Sequence, residues 1–182
     1  MAGMLRELGA RVIDADKVAH QLYQPGTPAF DEVVGAFGRE IVGGRGEIDR
    51  RRLGQKVFGN PQALKRLNAI LHPRISDRVK EILEGWRGEG MKVAVVEAAL
   101  LFEAGWAPLV DQVWVTAASE AKVKERLRAS KDLTDEEVEA RLASQMPVEE
   151  KAKGADVVIN TDGTLDQVRE EVERQRRRLG LT

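Results

Sequence analysis

Met1-Ala-Gly-Met-Leu-Arg-Glu-Leu-Gly9, followed at once by Arg11-Val-Ile-Asp-Ala-Asp16, sets the fold class. The first nine residues read as the last turns of a helix. Ala2, Met4, Leu5 and Leu8 make an apolar face, and Gly9 stands where a helix-ending glycine belongs. Val12-Ile13 then opens a strand that ends in two acids. A helix tail feeding a strand is the second half of a crossover unit. The expectation is therefore an N-terminally truncated chain, with a strand, a loop and the rest of the helix preceding Met1. In many α/β enzymes that unit carries the glycine-rich phosphate cradle. No G-x-x-x-x-G-K-[ST] occurs in the 182 residues.

Working outward, strands are expected at Arg11–Asp14, 92–97, 112–116 and 156–160. Val93-Ala-Val-Val96 and Val157-Val-Ile159 are short continuous apolar runs, the pattern of parallel strands covered on both faces. Helical segments fill the gaps, so the pattern is α/β with crossover connections. Thr27-Pro28 supplies an N-cap and a first-turn proline. Phe30, Val33, Val34 and Phe37 follow at helical spacing up to Gly38. Asp49 caps a short helix, and Asn60-Pro61 starts a longer one that Pro73 is expected to interrupt. Thr134 and Glu137 form a capping box, and Leu165, Val168 and Val172 define the last helix. The helical stretch between the first two strands is too long for a simple crossover and reads as a substrate-side insertion.

Composition narrows the function classes. Charged residues make up 32% and aromatics 4%, with a net charge of −1, so bulk charge argues for neither nucleic-acid nor membrane binding. The chain has no cysteine, which excludes disulfides, thiolate zinc and a cysteine nucleophile, and a cytoplasmic location fits. With only His20 and His72, a histidine-rich metal site is not expected.

Asp14 and Asp16 stand two apart at a strand end. Period two places them on one face, near the sheet's carboxyl edge, where ligands of open α/β sheets bind. One is expected to cap the following helix; the other could orient a hydroxyl or accept its proton. His20 lies one helical turn beyond Asp16 and reads more simply as a hydrogen-bonded side chain than as half of a metal pair. His72, before Pro73, reads as a cation at a helix C-terminus. Leu100, Leu101 and Phe102 are most simply core, although a shelf at a strand's carboxyl edge could also pack a flat base. Arg126, Arg128, Lys131, Arg141, Lys151 and Lys153 flank the Thr134 helix. Such a run is most simply a solvated face, and alternatively a clamp for polyphosphate.

Several segments together are more specific than any one. Val12-Ile-Asp-Ala-Asp16 with His20 resembles dephospho-coenzyme A kinases just after their P-loop helix. Asp49-Arg-Arg-Arg-Leu53, Asn60-Pro61 and Leu67-Asn-Ala-Ile-Leu-His-Pro73 look like their substrate-side helices. Leu100-Leu-Phe-Glu103 resembles their pocket strand end. Gln145-Met-Pro147, Glu149-Glu-Lys151 and Ala155-Asp-Val-Val-Ile-Asn160 are similar to their lid and final strand.

The resemblance implies a nucleoside-monophosphate-kinase-like fold: a three-layer parallel sheet with helices on both faces, in one domain spanning 1–182. A helical acceptor region is expected at about 27–86 and a lid at about 119–153. It implies transfer of the ATP γ-phosphoryl group, with Mg2+, to the ribose 3′-hydroxyl of dephospho-coenzyme A. Asp16 matches the family's acceptor-hydroxyl base. His20, His72, Leu100, Leu101, Phe102 and Glu103 match its substrate side. Arg126, Arg141 and Lys151 match its lid cations. No residue matches a P-loop or a protein metal ligand. Glu97 and Ala99 stand where the family usually carries Asp and Pro, and Ser130 where a basic residue is frequent, with Lys131 beside it. Without a P-loop the chain is expected to be inactive by itself. The alternatives are a non-catalytic remnant that binds a coenzyme A-like ligand or a partner, and another small P-loop kinase.

Overall fold

The computed structural model describes residues 1–131 and 134–180, and the side chains of Ser130, Lys131 and Arg141 lie outside that description. In chain order its elements are α1 (Ala2–Glu7), β1 (Arg11–Asp14), α2 (Ala15–Leu22), α3 (Pro28–Phe37), α4 (Arg50–Val57), α5 (Pro61–Gly88), β2 (Ala94–Glu97), β3 (Trp114–Ala117), α6 (Glu120–Lys131), α7 (Asp135–Ala143), α8 (Val148–Lys153), β4 (Val157–Asn160) and α9 (Leu165–Arg178). Contacts divide the chain into two compact units. Met1–Ile13 joins Gly85–Thr182 in one, and Asp14–Glu84 is the other.

In the first unit all four expected strands form, but not as one sheet. β1 pairs with β2, and β3 pairs with β4, giving two two-stranded sheets. The β3/β4 pair is parallel, with Trp114 opposite Val157 and Ala117 opposite Asn160. One core serves both pairs: Leu5, Ala10, Ile159, Val168 and Val172 are buried, with Val93, Val95, Trp114 and Val157 packed against them. The strands and helices are those of the expected α/β fold, with the strands in two pairs over a shared core. Burial on both faces is corrected. Val158 is 45% exposed on β4, and Ala94 is exposed on β2.

Local chemistry fixes the helix ends. Gly9 takes φ +93° just past α1, a conformation that costs a glycine little. Thr27 accepts from the Phe30 amide at 3.1 Å, Asp49 from the Arg51 amide at 2.9 Å and Asn60 from the Ala63 amide at 3.1 Å. The Thr134–Glu137 capping box is present, and a second one, Thr164 with Gln167, opens α9. Leu165 does not help to define the inward face of α9: it is 78% exposed, and Val168 and Val172 do the packing.

Pro73 does not interrupt α5, which runs 28 residues through it. The proline removes one backbone donor from that turn. Beside it the Arg74 guanidinium donates to the Ile70 carbonyl at 2.6 Å and to Glu32 on α3 at 2.6 Å. His72 is accordingly an interior helix residue and not a C-terminal cation. Among the described residues no helix is long and apolar enough to cross a membrane.

Candidate functional site

In the Asp14–Glu84 unit, the two acids of Val12-Ile-Asp-Ala-Asp16 part company. β1 stops at Asp14, and α2 starts at Ala15. The strand-face relation expected between Asp14 and Asp16 is therefore replaced by a strand-to-helix step. Asp14 is the N-cap: it accepts from the Lys17 amide at 3.1 Å and pairs with the Lys17 ammonium at 3.3 Å. Its burial works against the charged form. The hydrogen bonds and charge of Lys17, with a further bond from the Asp16 amide, prevail and hold its carboxyl below the ordinary value. Asp16 stands exposed in the first turn of α2, its carboxylate without a hydrogen bond or ion pair among the described residues.

One turn along α2, His20 is half-buried. Its Nε2 meets the Gln24 side-chain amide at 3.2 Å, and its Nδ1 is buried with no partner. The ring stands edge-on to Tyr23, centroids 5.5 Å apart. Tyr23 is 8% exposed. Burial pushes its hydroxyl above the ordinary pKa; the charge of Arg50 opposes this and that of Asp16 adds to it. Tyr23 was not singled out from sequence, although its i, i+3 spacing from His20 is the signal that could have found it. The His20 ring therefore lies against a buried phenol that feels the charges of Asp16 and Arg50. Among the described residues no group of three or more His, Cys, Asp or Glu side chains could hold a metal ion.

In the other unit the expected residues form two separate groups. After β2 the chain makes a tight turn, with the Ala104 amide donating to Leu100 and the Trp106 amide to Leu101. Leu100, Leu101 and Phe102 are half-buried there, not core, so they form a shelf. Phe102 packs against the backbone of Gly154: a Cβ at that glycine would lie 2.7 Å from the ring. Glu103 turns towards the same segment. Its Oε1 accepts from the Met146 amide at 2.6 Å and pairs with Lys151 at 3.2 Å, while Oε2 is buried without a partner. Lys151 also donates to the Ala99 carbonyl at 2.8 Å and to Gln145 at 3.4 Å.

Arg126 belongs to the second group. It donates to the Thr161 hydroxyl at 3.2 Å and to the Thr161 carbonyl at 2.5 Å, at the carboxyl end of β4. Ser119 reaches Asp162 across the same end, through its amide at 2.9 Å. Within the basic run Arg128 pairs with Asp135 and Lys153 with Glu150; beside it, Lys124 pairs with Glu120 and Glu139. The side chain of Arg141, with those of Ser130 and Lys131, lies outside the described residues.

Comparison with known proteins agrees with these elements. The family model described as CoaE: Dephospho-CoA kinase matches residues 1–167. A dephospho-CoA kinase of Symbiobacterium thermophilum is 43% identical over 173 residues, covering 95% of this chain and 72% of the relative. One of Carboxydothermus hydrogenoformans is 40% identical, covering 93% of this chain and 82% of the relative. Among solved structures, TT1252 from Thermus thermophilus superposes with a TM-score of 0.78 at 32% identity, covering 98% of this chain and 89% of its own. The dephospho-CoA kinase from Campylobacter jejuni gives 0.68 at 28% identity, covering 100% and 91%. With the strand-to-helix step at Asp14, the shelf after β2 and the family match over most of its length, the chain belongs to the dephospho-CoA kinases.

Proposed function

We propose that the reaction served by these residues is transfer of the ATP γ-phosphoryl group to the ribose 3′-hydroxyl of dephospho-coenzyme A, and that Asp16 is the group that receives the hydroxyl proton. The 3′-oxygen bonds to the γ-phosphorus, the bond to the β–γ bridging oxygen breaks, and ADP leaves. One observation carries the assignment of Asp16: of two acids at the start of α2, Asp14 is committed to the helix cap and Asp16 is not. A carboxylate of unperturbed pKa about 3.9 is a weak base. That suffices here, because phosphoryl transfer rests chiefly on positioning and electrostatics. His20, His72 and the shelf Leu100–Leu101–Phe102 are proposed to hold the acceptor, and Arg126 and Arg141 to meet phosphate charge.

The donor side does not fit these residues alone. They contain no G-x-x-x-x-G-K-[ST] to wrap the β-phosphate, so no step is assigned to magnesium here. We therefore propose that the 182 residues bind the acceptor without turning it over. The same observation supports a second reading, a non-catalytic protein that binds a coenzyme A-like ligand. Calorimetric titration with dephospho-coenzyme A tests what the two readings share. Binding of the acceptor supports both, and no binding removes both. An ATP-dependent assay of a form extended upstream by a strand, a P-loop and a helix separates them. Turnover by that form establishes the kinase reading, and its absence leaves the binding reading.

A further inference from the structure

Glu103 and Lys151 stand apart from the other ion pairs of this chain. Their side chains are only 19% and 14% exposed, the most sheltered pair among the described residues. Three protein oxygens surround the Lys151 ammonium: Ala99 O at 2.8 Å, Glu103 Oε1 at 3.2 Å and Gln145 Oε1 at 3.4 Å. Ala99 and Gln145 accept hydrogen bonds from the ammonium, and Glu103 supplies its counter-charge. Glu103 Oε1 also takes the Met146 amide at 2.6 Å, just before Pro147 and α8. The Phe102 ring lies against Gly154 at the other end of α8. Two contacts therefore tie α8 to the turn after β2, one at each end of the helix.

We propose that Glu103 and Lys151 are positioning residues that latch the exit of the lid segment onto the acceptor shelf. This rests on the kinase reading only for the words lid and shelf. Lys151, paired with Glu103 and hydrogen-bonded to Ala99 and Gln145, holds the segment and is not a free cation for phosphate. Glu103 fixes the Met146 amide and neutralises Lys151 at once. Its position in sequence, directly after Leu100–Leu101–Phe102, links whatever sits on the shelf to the segment that leaves the lid. The latch would set where α8 begins and thereby the orientation of α7 before it.

The test is amide hydrogen exchange of the 182-residue chain, read in 144–154 against 114–117 and 157–160. Exchange through local opening rises exponentially with the local stability lost. Glu103→Ala and Lys151→Met are expected to speed exchange in 144–154 about tenfold or more, the effect of losing a charged hydrogen bond. The β3 and β4 amides should stay protected. Glu103→Gln keeps an acceptor for Met146 and should fall between wild type and Glu103→Ala. Lys151→Arg, which keeps the charge, should restore most of the protection that Lys151→Met loses. The double variant Glu103→Ala/Lys151→Met should be no worse than either single one. Unchanged exchange in 144–154 overturns the latch. So does a loss shared equally by β3 and β4, or an Arg variant as open as the Met variant. The readout contains no turnover, so its failure leaves the kinase reading standing, and an inactive extended form leaves the latch standing.

Discussion

The start of α2 and the turn after β2 each present an acid from the sequence segments that resemble the kinases, and the structure treats them in opposite ways. At α2 the first acid, Asp14, is consumed by the helix cap, which leaves the second, Asp16, exposed and uncommitted. After β2 the acid, Glu103, is sheltered and held by Met146 and Lys151. The difference teaches that a motif position does not by itself say whether a carboxylate works on a ligand or on the fold. Its neighbours decide. A donor that must be satisfied, such as the Lys17 amide or the Met146 amide, takes the nearest acid. The acid with no such neighbour, Asp16, is the one to which the proposed function gives the chemistry.

The comparison breaks most visibly at Asp16. In a form carrying a strand, P-loop and helix upstream, Asp16→Asn is expected to lower kcat by roughly 10²–10⁴-fold, the range for a positioned general base. KM for dephospho-coenzyme A and thermal stability should change little, because the carboxylate has no partner to lose. A fall in stability with normal kcat would place Asp16 among the structural acids instead.

Glu103→Ala is expected to behave in the reverse sense. It leaves a sheltered ammonium without its counter-charge and an amide without its acceptor, a cost of about 1–3 kcal/mol. Thermal or urea unfolding measures this, and a variant as stable as the parent contradicts the reading of Glu103 as a fold acid.

Asp14→Ala is smaller, about 1 kcal/mol for a lost N-cap. Its pH dependence is specific. The folded carboxyl titrates below its ordinary value. Its contribution is therefore fully present above the unfolded pKa of about 3.9 and is lost as pH falls through the lower folded value. The stability difference between parent and Asp14→Ala should shrink on acidification across that window. A difference independent of pH there removes the charged cap from the account. Smallest of all is Leu165→Ala, expected within about 0.5 kcal/mol because the side chain is largely in solvent.

The sequence made the strands and caps legible because both follow from short-range rules. Thr27, Asp49, Asn60 and Thr134 each satisfy amides two or three residues away, and the pattern of such residues survives any tertiary context. Pro73 misled because what accompanies it is not local: α5 runs on through it, and Arg74 beside it links the helix to Glu32, far away in sequence. The partner of Arg128 in the basic run, Asp135 on the next helix, was likewise not legible from charge alone. Of the site, Asp16 and His20 could be singled out through the resemblance of their segment to the family, while spacing alone left their roles open. The pairing of Glu103 with Lys151 could not be read from the sequence, because the two are far apart in the chain and only the fold brings them to 3.2 Å.

The most direct test of the central claim compares three polypeptides in one ATP-dependent assay with dephospho-coenzyme A. They are the 182-residue chain, the same chain extended upstream by a strand, a P-loop and a helix, and that extended chain carrying Asp16→Asn. The account predicts turnover in the extended form, with 3′-phosphorylated product and ADP formed in equal amounts, and turnover near background in the other two. Comparable rates from the 182-residue chain, or from the Asp16→Asn form, would contradict it.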